Sequence, residues 1–275
     1  MPNDTLDRLL EKVVKGEAPY NWETIQAINI FGIAAGMAYI HQHDIIHRDL
    51  KPSNIFLDEN YHPKIGDFGL SKVFKEGTED QIDQTLGVGT PIYMAPEMID
   101  NPHYSNKIDV YANSLVSYQL LTIQRPYSDK KSITAFSLFS DIQKGVRPTI
   151  REREISDSYL DLFERCWSGD PDRRPTFIQI VKEFIDFKDE YFDMSYIDEE
   201  EFDDYIGCVT KDLDFQSRFH WQINKDLFYL KIIISYIIQK KKKVCILSKI
   251  ACISSFIKEI LLINKKKSKS IIIII

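Results

Sequence analysis

The stretch His47-Arg48-Asp49-Leu50-Lys51-Pro52-Ser53-Asn54 decides how this chain is read. It sets a carboxylate that can serve as a base, a lysine and an oxygen-bearing amide within six residues of one another. A second acidic group, Asp67 in Asp67-Phe68-Gly69, follows Asn54 after 13 residues, the separation that a two-strand hairpin between them gives. That hairpin would bring two hard oxygen ligands together, a donor set suited to magnesium. Asp and Asn are also frequent turn residues beside short strands, so the order of neighbouring motifs has to decide between the two readings.

Outward from this loop the chain is mostly helical in pattern. The periodicity predicts a short helix from Thr5 to Val14 and a longer one from about Glu23 to His43, with Ile28, Phe31, Ala35 and Ala38 on one stripe and Asn21 as its cap. Gly32 and Gly36 form a G-x-x-x-G, but the apolar run from Ile28 to Ile40 falls short of the ~20 residues a membrane span needs. It reads as a buried core helix with two close-packing glycines. Short β-rich pieces follow at Ile45-Ile46, Asn54 to Leu57 and Lys64-Ile65, with turn chemistry at Asp58-Glu59-Asn60. Helical spacing returns from Lys107 to Ile123, Ser132 to Lys144, Ser156 to Cys166 and Thr176 to Phe187. No repeat at a period of tens of residues is visible.

Charge divides the chain unevenly. The net charge is −6, yet from Lys225 onward twelve lysines face only Asp226 and Glu259. An acidic run from Asp186 to Asp204 precedes that change, and it argues against nucleic acid as a partner, since phosphate backbones need a basic surface. Residues 188–224 read as an acidic and aromatic extension, and 225–275 as a Lys/Ile-rich low-complexity tail. Lys240 to Lys243 beside Leu227 to Ile238 raises membrane contact, against which a solvated tail is the simpler reading. Cys166, Cys208, Cys245 and Cys252 show no disulfide or zinc spacing, and the first residues carry no secretory signal pattern, so a cytoplasmic setting is expected. His41, His43 and His47 are read as structural and not as metal ligands. Oligomeric state is not legible.

Five motifs in order give the chain a resemblance to the eukaryotic protein kinases, covering about Met1 to Phe187. They are the quoted loop, Asp67-Phe68-Gly69, Gly89-Thr90-Pro91-Ile92-Tyr93-Met94-Ala95-Pro96-Glu97, Asp109-Val110-Tyr111, and Cys166-Trp167 with Arg174-Pro175-Thr176-Phe177. The last resembles the tyrosine-kinase-like group of Ser/Thr kinases. The resemblance implies a mainly α fold, the kinase C-terminal lobe with a short β-hairpin, over residues 1–187. It implies a signalling enzyme that transfers the γ-phosphoryl of ATP to a Ser/Thr hydroxyl of a protein substrate, with ATP and Mg2+ as cofactors. In that frame Asp49 is the catalytic base, Lys51 lies beside the transferred phosphate and the nucleotide, and Asn54 and Asp67 bind metal and nucleotide. His47 supports the loop, and Arg48 meets a phosphate placed on Ser71, Thr78 or Thr85. Thr90 contacts Asp49, Asp109 braces the loop backbone, and Glu97 pairs with Arg174. Lys51, two residues after the Asp, is the Ser/Thr-kinase form.

The pattern also departs from the family. Only 46 residues precede His47, and no G-x-G-x-x-G or V-A-I-K-like lysine lies among them. Gly87-Val88-Gly89 falls after Asp67 and opens no helix. The chain is therefore expected to begin mid-domain, with the small β-rich lobe missing, and a catalytically inactive binding or scaffold module is the alternative reading. Ala112-Asn113-Ser114 stands where the family commonly has Ser-Phe-Gly, so Asn113 would need a hydrogen-bond partner if buried.

Overall fold

Helix α2, Trp22–Gln42, is buried on every side, from Ile28 and Phe31 to Met37 and Ile40, because other elements pack around its whole circumference. The computed structural model describes residues 3–73, 91–100, 104–130, 134–151 and 155–215, all within one of the two units into which the chain divides. In chain order α1 (Leu6–Val14) precedes α2, then come β1 (Ile45–Ile46), β2 (Ile55–Leu57), β3 (Pro63–Ile65) and β4 (Lys72–Val73). Helices α3 (Glu97–Asp100), α4 (Lys107–Thr122), α5 (Ala135–Gln143), α6 (Asp157–Cys166), α7 (Phe177–Asp186), α8 (Lys188–Tyr191) and α9 (Glu199–Thr210) complete it. The fold is mostly helical with a small hairpin, as the sequence predicts.

The helix starts show local sequence chemistry at work. Thr134, Ser156 and Asp198 each accept a hydrogen bond from the backbone N–H three residues on. Thr176 and Gln179 form a full capping box at the start of α7. Thr176→Ala should therefore lower the unfolding free energy by about 1 kcal/mol in urea titration, and an unchanged midpoint would count against this cap. Asn21 occupies the N-cap position of α2 without a side-chain bond, so burial and not capping sets where that helix begins.

Antiparallel pairing joins β2 to β3, with Ile55 opposite Ile65 and Leu57 opposite Pro63. Asp58 holds the turn by accepting from the N–H groups of Asn60 and His62. The two glycines of the G-x-x-x-G face this hairpin and α9, not a second membrane helix. A Cβ on Gly36 would lie 2.9 Å from Ile65 Cδ1, and one on Gly32 would overlap Tyr205 Oη and lie 2.8 Å from Pro63 Cγ. Among the described residues no helix is long and apolar enough to cross a membrane.

Three elements exceed what the sequence pattern shows. Strand β4 pairs antiparallel with β1, Ile45 opposite Val73, but two residues are too few to display a period. Beyond Phe187, α8 and α9 are ordered and packed, with Tyr191, Phe192, Phe202, Tyr205 and Leu213 buried. Phe202 meets Phe31 and Phe192 edge-on at 6.0 and 4.9 Å, and Phe192 meets Phe184 at 5.4 Å. The expected start of α5 at Ser132 and the tail from 225 to 275 lie outside the described residues.

Candidate active site

Asp109, near the start of α4, organises the loop that the sequence singles out. Its carboxylate is 1% exposed and accepts from the backbone N–H of His47 at 2.8 Å and of Arg48 at 2.9 Å. His41 Nε2, from the last turn of α2, lies 2.9 Å from Asp109 Oδ2. Desolvation pushes the Asp109 carboxyl up, but the His41 hydrogen bond and charge, with the neighbouring His47 and the Arg48 N–H, together outweigh it and leave the group below the ordinary carboxylate value. The loop needs this hold, since Arg48 sits at φ 71°, a left-handed conformation that costs a non-glycine residue about 1–3 kcal/mol.

His47 is fully buried and ties the loop to the hairpin. Its Nδ1 accepts from Asp49 N–H at 3.3 Å while Nε2 lies 2.9 Å from Gly66 O, so the pair of contacts assigns the donor role to Nε2. Its ring also packs on Phe68 at 5.2 Å. Gly66 N–H donates to Asn54 O at 2.9 Å, closing the ladder at the residue before Asp67. Only glycine fits there, because a Cβ would come within 2.6 Å of the Phe56 ring.

Three polar side chains then converge. Lys51 Nζ donates to Asp49 Oδ2 at 2.7 Å, and Asn54 Nδ2 donates to the same oxygen at 2.9 Å and to Asp49 O at 2.8 Å. These bonds turn the Asn54 carbonyl oxygen away from Asp49, since the two ends of an amide point apart. Asp67 is exposed, at φ 56°, and its Oδ1 accepts from Gly69 N–H at 3.3 Å. Two hard oxygens without a third carboxylate suit Mg2+, which keeps water and takes its remaining ligands from phosphates. No group of three His, Cys, Asp or Glu able to hold a metal occurs among the described residues. The residues present fit a nucleotide-borne magnesium.

The downstream segment returns to the loop. Tyr93, Met94 and Met98 line a small cavity with Arg48, Asp49 and Leu50. Tyr93 Oη donates to Gln119 Oε1 at 2.5 Å. Glu97 forms a two-point ion pair with Arg174, 2.6 Å to Nη1 and 2.8 Å to Nη2. Arg174 also donates to Ser168 O and Lys107 O, and Lys107 Nζ donates back to Arg174 O.

A model of the protein kinase domain matches residues 1–185, two thirds of the sequence. The chain belongs to the protein kinase domain family. It is 40% identical over 151 residues to "Dual specificity protein kinase shkB" of Dictyostelium discoideum, covering 54% of this chain and 22% of that protein. It is 39% identical over 150 residues to "Serine/threonine-protein kinase STY17" of Arabidopsis thaliana, 54% of this chain and 25% of that one. With "Serine/threonine-protein kinase VIK" of the same plant it shares 36% over 162 residues, 57% and 36% of the two chains. The chain thus spans between about a fifth and two fifths of the length of these relatives.

Within this kinase domain, hydrogen bonds join His47, Arg48, Asp49, Lys51, Asn54 and Asp109, Asp67 follows Gly66, whose N–H is bonded to Asn54 O, and Glu97 pairs separately with the buried Arg174. Thr85, Thr90, Thr78 and Gly87-Val88-Gly89 lie outside the described residues. Sequence reasoning missed His41 as a partner of Asp109 and Lys107 as a partner of Arg174. Neither spacing carries a signal, because both contacts are made across separate elements. Asn113 is buried and its Oδ1 finds no hydrogen-bond partner among the described residues.

Proposed function

We propose that this kinase domain transfers the γ-phosphoryl group of Mg·ATP to a protein Ser or Thr hydroxyl, giving a phosphoester and ADP. One observation carries the reading: Asp49 Oδ2 is held by both Lys51 and Asn54, which leaves Oδ1 free of either bond and able to orient a hydroxyl and take its proton. Lys51, 18% exposed, keeps a positive charge beside that oxygen, where negative charge on a transferring phosphoryl would develop. Asn54 Oδ1 and Asp67 would hold Mg2+, which when bound neutralises charge on the phosphate oxygens. The Ser/Thr preference rests on Lys51 and on the likeness to the serine/threonine-protein kinases STY17 and VIK, while the likeness to the dual specificity kinase shkB extends the range.

The family's glycine-rich phosphate cover and nucleotide lysine have no match ahead of the loop among residues 1–46. Calorimetric titration of the chain with Mg·ATP tests what is present. Saturable binding that Asp67→Asn abolishes supports the reading. A folded chain that binds no Mg·ATP overturns it for these residues and selects the binding-module alternative.

A further inference from the structure

Helix α9 lies beyond the residues matched by the kinase family, yet it presses on the hairpin that carries two of the site's ligands. Its Tyr205 ring is 8% exposed and packs 4.7 Å from the His62 ring, one residue before β3. The hydroxyl end fills the space left by the missing Cβ of Gly32, alongside Pro63. Pro63 opens β3, and three residues later Gly66 N–H closes onto Asn54 O, directly before Asp67. Ile65, between them, is seated in the notch at Gly36. The return strand is therefore seated on α2, with α9 closing over its Pro63 end.

A wedge positions a neighbour only if it is itself fixed, and α9 is fixed at both ends. At its start, Asp198 N–H donates to Thr24 Oγ1 at 2.9 Å, and Phe202, fully buried, packs on Phe31. Past its end, Gln42 Nε2 donates to Asp214 O at 2.8 Å and Asp214 N–H donates back at 3.4 Å. These anchors all fall on α2, the helix against which β3 lies.

We propose that Tyr205 is a positioning residue: it latches Pro63 and β3 onto α2, so that Asp67 stays apposed to Asn54 for metal–nucleotide binding. The ligand-positioning part rests on the function proposed above; the latch itself does not. Removing the ring opens space under Pro63, and the hairpin gains a local opening that the rest of the fold does not share.

The test uses the 275-residue chain with Tyr205→Ala, Tyr205→Phe and Phe163→Leu, the last a core truncation between α6 and Trp167, remote from the hairpin. Amide exchange at Gly66 and Mg·ATP affinity are measured together. Tyr205→Ala should speed Gly66 exchange at least about tenfold beyond Phe163→Leu and weaken Mg·ATP about tenfold, with Tyr205→Phe restoring both to within about twofold. Gly66 exchange in Tyr205→Ala no faster than in Phe163→Leu overturns the latch, whether or not nucleotide binds. Faster Gly66 exchange in a chain whose parent binds no Mg·ATP sustains the latch and overturns its ligand-positioning role along with the nucleotide reading.

Discussion

Arg174→Met should lower the unfolding free energy by about 3–5 kcal/mol, one of the larger losses that a single substitution can cause in this domain. The guanidinium is 0% exposed and four of its five N–H donors are placed: two on Glu97, one on Ser168 O and one on Lys107 O. Its face also lies 5.1 Å from the centre of the Tyr111 ring. Glu97, at 14% exposure, can recover some hydration once its partner is gone, whereas Arg174 cannot. Glu97→Ala should therefore cost at least as much as Arg174→Met, because it strands the more deeply buried charge. Replacing both residues by Met should recover much of the loss, since paired buried ions contribute little more than apolar groups of similar size. Urea unfolding of the three variants decides the matter. A loss under about 1 kcal/mol for Arg174→Met would reduce the pair to the value of a surface ion pair. Any fall in kinase activity in these variants should follow the unfolded fraction, which separates them from changes at Asp49.

The helices around α2 were legible because their apolar residues recur at helical spacing, and the hairpin because Asp58-Glu59-Asn60 supplies turn chemistry between β-rich pieces. Gly32 and Gly36 could be read as close-packing positions, but not what packs there: Ile65 at Gly36, and at Gly32 Tyr205, more than 170 residues away in sequence. α9 went unread because its acidic composition masked a helix signal that is present: Asp198 at the N-cap, three glutamates in the first turn, and Phe202 and Tyr205 three apart on one face. At the site, motif order located Asp49, Asn54 and Asp67, whereas their hydrogen-bond partners come from tertiary structure alone. His41 was weighed as a metal ligand or a structural residue. Its contact with Asp109 spans 68 residues, a distance over which no local pattern operates.

Asp109→Asn should cost about 3 kcal/mol and loosen the 47–54 loop more than the fold as a whole. The carboxylate offers one oxygen to His47 N–H and the other to Arg48 N–H, with His41 sharing the first. An amide of the same shape has one oxygen and one NH2 group, so one of the two backbone donors must then face another donor. Hydrogen bonds to a charged acceptor contribute roughly 1.5–3 kcal/mol each, and the left-handed strain at Arg48 loses the contact that offsets it. Exchange at the His47 and Arg48 amides should therefore rise in the variant by more than global unfolding accounts for. Acid gives a second readout. Because the folded state lowers the Asp109 carboxyl below its ordinary value of 3.8, its contribution is fully present above that value and is lost as pH falls through the lowered one. The parent chain should lose stability steeply below about pH 3.8, and Asp109→Asn less steeply by one titrating group. Equal acid slopes, or amides at positions 47 and 48 that exchange only with global unfolding, would mean that Asp109 does not hold the loop. The geometry at Asp49 would then have to be set by His47, Lys51 and Asn54.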